Sequence, residues 1–103
     1  MLYYKLVRDK IPEIIEKSGK HPLIEILSDD DYKIYLERKL DEEVKEYHDS
    51  KDIEELADVL EVLISLAKTK GYSFEELVKL QWQKSSERGG FSKKILLIAV
   101  NEN

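Results

Sequence analysis

The 103-residue chain contains no cysteine, so it has neither disulfides nor thiolate metal sites, and its redox compartment is left open. Cations are in deficit: 17 Lys and Arg face 22 Asp and Glu, for a net charge of -5. An acidic chain is a poor match for nucleic acid, and none is expected as a partner. Long apolar runs are also missing. The longest, "ILLIAV" at 95–100, is far too short to span a bilayer. The opening "MLYYKLVRDK" is charged by its fifth residue and lacks a signal-peptide core. Repeats, low-complexity tracts and linkers are absent. These absences predict a single domain over residues 1–103, soluble and cytoplasmic, with no membrane partner.

What is present is helix-forming. Apolar residues make up 42% of the chain, enough for a folded globule, and charged residues reach 38%, well above average. A chain this short buries only about two-thirds of the surface it exposes when unfolded. A homodimer or larger homo-oligomer would help to bury the rest.

"DKIPEIIEKSG" predicts a first helix, with Asp9 as N-cap and Gly19 as stop. A second runs from the aspartates of "SDDDYKIYLERKLDEEVKEYH" to about His48–Ser50, and a third from about Asp52 to Thr69, closed by Gly71. "SFEE" opens a fourth as a capping box, Ser73 with Glu76, and "RGG" ends it. "LIEIL" and "KKILLIAV" read as strands. The expected fold is therefore all-α, four-helix and bundle-like, with a minor two-stranded ribbon that would need helices or a second subunit to pack on.

The stretch 42–61, "EEVKEYHDSKDIEELADVLE", carries nine acidic side chains against two lysines. On the second helix Leu36, Leu40, Val44 and Tyr47 fall within an arc of about 80° and mark the buried stripe. Glu43 lies beside that stripe and Glu46 about 60° further round. Glu42 points outward among Arg38, Lys39 and Lys45, an ordinary solvated pattern. Glu46, Asp58 and Glu61 have no basic residue three or four positions away, while Glu43 has only Lys39 and Glu55 only Lys51.

A short "DSK" turn makes the second and third helices an antiparallel hairpin, which brings Glu46 level with Glu55 and Glu43 level with Asp58. Clustered carboxylates left alone raise one another's pKa or force one another apart. Together they are a ligand set for a hard cation such as Mg²⁺. The plainer alternative is a D-x-x-E capping box of Asp52 with Glu55, and acids that complement a helix N-terminus.

"KLDEEVKE" followed by "EELADVLEVL" resembles the Glu-x-x-Glu … Glu-x-x-Asp signature of the MazG-like all-α nucleoside triphosphate pyrophosphohydrolases. "YKLVRDKIPEII" and "KSSERGGF" are similar to the flanks of its small single-domain branch. The resemblance implies Mg²⁺-dependent cleavage of a nucleoside triphosphate to the monophosphate and pyrophosphate, of house-cleaning type. It also implies metal ligands at Glu43, Glu46, Glu55 and Asp58, with Glu43 or Glu46 orienting the water. One departure is that only eight residues separate Glu46 from Glu55, a tight hairpin for the family.

For the substrate phosphates, Lys84 with Arg88 and Arg8 with Lys10 are the candidate cations. Their alternatives are helix-dipole complementation and surface ion pairs. Trp82 and Tyr47 are expected in the core or a subunit interface. The competing functions are a catalytically silent helical interaction module, a metal buffer, and an enzyme of the phosphoribosyl-ATP pyrophosphohydrolase type.

Overall fold

The structure is a computed structural model and describes residues 2–102. It has four helices: α1 (Ile11–Lys17), α2 (Asp29–Ser50), α3 (Ile53–Thr69) and α4 (Phe74–Arg88). The protein is all-α, and no helix is long and apolar enough to cross a membrane among the described residues.

Local chemistry sets most of the boundaries. Ser28 caps α2 by accepting a hydrogen bond from the Asp31 amide at 3.2 Å. Ser73 and Glu76 form the reciprocal capping box that opens α4. The turn between α2 and α3 is Lys51 and Asp52 alone, with Lys51 in the left-handed region at φ 62°. That turn closes as its amide donates to the Tyr47 carbonyl at 2.7 Å.

At α1 the expectation fails. Lys10, not Asp9, holds the N-cap position, and no side chain caps it. Pro12 in the first turn sets the helical φ and has no N–H to be capped, so α1 can start without a side-chain acceptor.

Helices α2 and α3 pack along their length, and α4 leans on α3. Leu36, Val62 and Leu66 form the core between them, with Leu6, Tyr32 and Leu40 packed around it. Of the predicted α2 stripe, Leu36 is buried and Leu40 and Tyr47 half-buried, while Val44 is on the exposed side.

The expected ribbon is not formed. Residues 20–28 and 94–102 contain no regular secondary structure, and most of their apolar side chains stand in solvent, Leu27 being half-buried. A two-stranded ribbon is marginal in water without a face to pack on, and here neither segment has one. Trp82, expected in a core or interface, is 67% exposed. The molecule is elongated, with a radius of gyration of 18.5 Å, against roughly 13 Å for a compact chain of this length.

Candidate metal centre

The tight α2–α3 turn brings Glu43 together with Glu55 and Asp58, while Glu46 groups with Glu42 and Glu43 and not, as the expected level pairing required, with Glu55. Ligand oxygens of Glu43, Glu55 and Asp58 lie within 4.8 Å of one another, and so do those of Glu42, Glu43 and Glu46. Glu43 belongs to both groups and joins them. Its residue is 7% exposed, making it the one buried charged group among the described residues.

Glu43 Oε1 is 3.3 Å from Lys39 Nζ, but Oε2 is buried with no hydrogen-bond partner. A buried ionised oxygen without a donor is costly. The price is visible in the acidity: burial pushes the Glu43 carboxyl up, Lys39 opposes this, and Glu46 adds to it. Glu55 is also pushed up, by desolvation first and then by Asp58 and Glu43.

The capping alternative for Glu55 does not hold. Asp52 occupies the N-cap position of α3, but its side chain makes no capping bond and its amide donates to Ser50 Oγ at 3.1 Å. Glu55 still lies in the first turn of α3, where an acid complements the helix dipole, and it also belongs to the carboxylate group.

The N-terminal segment lies across the hairpin like a strap. Lys5 reaches Glu42 on α2 at 3.8 Å, Leu6 packs on the core, and Arg8 Nη2 donates to Asp58 Oδ1 on α3 at 2.6 Å. Sequence reading gave Arg8 to a phosphate and left Asp58 without a cation; the structure pairs them. Helical spacing shows only neighbours within one helix, whereas Arg8 is fifty residues away.

Glu42 joins the cluster, contrary to its expected outward position. It is half-buried and held by Lys39 at 3.3 Å. Of the cations assigned to it, Lys45 pairs with Asp49 instead and Arg38 lies over the Tyr35 ring. Glu46 is exposed and has no ion pair among the described residues, as expected. Glu61 is exposed and lies outside both carboxylate groups.

Lys10, Lys84 and Arg88 are exposed and make no ion pair with the cluster. Arg88 lines a separate shallow concavity of about 220 Å³ with Gly90, Phe91, Lys93 and Lys94. A larger one, about 350 Å³, lies between the start of α2 and the end of α3, away from the acids.

The donor set suits a hard cation. It consists of carboxylate oxygens alone, with one buried and unpartnered, so the residues present fit Mg²⁺. Three cations from the chain, Lys5, Arg8 and Lys39, already offset part of the charge.

Comparison with known proteins adds little to this geometry. A segment of 42 residues is 60% identical to an uncharacterized protein of Mycolicibacterium smegmatis, covering 41% of this chain and 43% of that protein. The matched segment thus spans less than half of that relative's length. No family model and no solved structure matches the chain.

Proposed function

We propose that the protein is a Mg²⁺-dependent nucleotide pyrophosphohydrolase that converts a (d)NTP to the (d)NMP and pyrophosphate. The observation that carries this reading is Glu43, which belongs to both carboxylate groups and has one buried oxygen without a hydrogen-bond partner. A bound cation would stabilise such an atom in its ionised form. The resemblance of the two acid motifs to the MazG-like signature supplies the reaction class.

In this reading Glu43, Glu46, Glu55 and Asp58 hold the metal. When bound, Mg²⁺ neutralises phosphate charge and polarises the anhydride. The hydrolytic water is oriented by Glu43 or Glu46. Glu46 is the better placed of the two to take its proton, being exposed and free of ion pairs. The water oxygen bonds to phosphorus as the α–β bridging P–O bond breaks, and pyrophosphate leaves. Arg8, now on Asp58, is close enough to the metal ligands to exchange that carboxylate for a phosphate. Lys10, Lys84 and Arg88 are the remaining candidates for phosphate contact.

Pyrophosphate release from a panel of canonical and modified NTPs and dNTPs tests this reading. Turnover should require Mg²⁺, stop with chelator, and fail in Glu46→Gln and Asp58→Asn proteins. A folded wild-type protein that cleaves no nucleotide in the presence of metal would remove the enzyme reading for that panel. The interaction-module reading would then lead, because so much apolar surface is exposed.

A further inference from the structure

The strap over the acidic hairpin is fastened by side chains. Lys5 pairs with Glu42 at 3.8 Å, Leu6 is half-buried against the core, and Arg8 donates to Asp58 at 2.6 Å. No backbone hydrogen bond ties residues 2–7 to the hairpin among the described residues. The side chains also work against a strained backbone. Tyr4 sits at φ 47°, a left-handed conformation that an aromatic residue rarely adopts.

Arg8 also begins α1. Its carbonyl accepts from the Ile11 amide at 3.0 Å, and α1 packs on none of the other helices. The Arg8–Asp58 contact thus fastens the start of α1 to the hairpin.

Charge decides what loosens that contact. Once ionised, Glu43, Glu55 and Asp58 carry three negative charges, and Arg8 and Lys39 answer two of them. A divalent cation among these acids leaves positive charge in excess, so one of the two side chains is repelled. Lys39 is nearly buried and pairs with both Glu42 and Glu43 of its own helix. Arg8 is half-exposed, meets one acid, and rides on a segment without regular structure. Arg8 is the one that yields.

We infer that the strap is a latch opened by a divalent cation. In the metal-free chain Arg8 stands in for that cation on Asp58. When the cation binds, Arg8 lets go and carries the start of α1 off the acids, with Leu6 as the hinge. The inference rests on the metal centre proposed above and on nothing in the hydrolytic step. Latch and cation are linked, so the factor by which the cation favours the open strap equals the factor by which the closed strap weakens the cation. For a half-exposed ion pair that factor is at most roughly fivefold.

A nitroxide on Val7→Cys tests this in the full chain. The position is 40% exposed, and the chain has no other cysteine to label. Mg²⁺ should raise the mobile fraction of its spectrum severalfold, where Na⁺ at equal ionic strength does not. Adding Arg8→Gln should make the strap mobile from the outset and insensitive to Mg²⁺. Calorimetry on Arg8→Gln without the label should show Mg²⁺ bound up to roughly fivefold more tightly than by wild type, and Arg8→Lys should restore part of the difference.

The results that would overturn the latch are distinct from those that sink the metal centre. Mg²⁺ that binds by calorimetry while the label stays immobile ends the latch alone. So does a strap already mobile without metal, a strap that Na⁺ loosens equally, or an Arg8→Gln protein that binds Mg²⁺ no more tightly. A wild-type chain that binds no Mg²⁺ ends both.

Discussion

Two regions of this molecule invert the usual arrangement in opposite ways. At the α2–α3 turn a carboxylate is buried, with Glu43 Oε2 lacking any partner. At the far end of the chain, residues 95–100 hold the longest apolar run, and it stands in solvent. Each is costly in the isolated chain, and each cost points to something the chain binds. For the acids the proposed ligand is a cation; for the apolar arms it would be apolar surface. The first region is held by short-range structure, a two-residue turn and two long helices. The second has no structure of its own to hold it.

The sharpest way to break this comparison is at the acids. Asp58→Asn removes a ligand and leaves Arg8 without its partner. Pyrophosphate release should fall by about three orders of magnitude, since a bound metal contributes several kcal/mol to the transition state. Steady-state assays check this, with circular dichroism to confirm that the helices remain.

Paired truncations come next. Leu36→Ala, in the core, should cost about 2–5 kcal/mol, which in so thin a core unfolds much of the population. Leu97→Ala removes the same atoms from a side chain that is 75% exposed. In a bare arm it would cost almost nothing. If a second copy covers the arm, the loss approaches that of Leu36→Ala, read by chemical denaturation at matched concentration.

A smaller effect follows from acidity. Glu43 and Glu55 bind their protons more tightly in the folded chain than unfolded, so folding takes up protons as these groups titrate. In metal-free protein their ionisation opposes the fold above the folded pKa. That penalty is relieved as pH falls from neutral through the raised values toward the ordinary carboxyl range. Glu43→Gln should therefore melt a few degrees higher than wild type at pH 7, with the gap closing on acidification. Mg²⁺ should stabilise wild type and not the variant, as differential scanning fluorimetry would show.

The smallest effect concerns Arg8. Its half-exposed pair with Asp58 contributes at most about 1 kcal/mol, so Arg8→Gln should leave stability nearly unchanged. Metal affinity should rise, because a competing cation has gone. The KM for nucleotide should rise if Arg8 also meets phosphate.

These two regions also mark how far the sequence could be read. The helices, the Ser73–Glu76 capping box and the meeting of Glu43 with Asp58 and Glu55 follow from local spacing and a short turn, whereas the expected pairing of Glu46 with Glu55 does not form among the grouped oxygens. Of the cluster's cations, Lys39 follows from the same spacing, four residues before Glu43, but the other two do not. Arg8 and Lys5 arrive on a segment without regular structure, and nothing in the 3.6-residue period announces them. The ribbon failed for a related reason. Alternation and β-branched residues mark a segment as able to pair, but pairing also needs a face to pack on, and no local pattern supplies one.

The most direct test of the central claim is a Mn²⁺ titration read by loss of the free-ion electron paramagnetic resonance signal, on wild type and on Glu43→Gln. The carboxylate account predicts saturable binding that Mg²⁺ displaces and that Glu43→Gln weakens at least tenfold. A wild-type protein that takes up no Mn²⁺, or a variant that binds it as well, would contradict the account at its root.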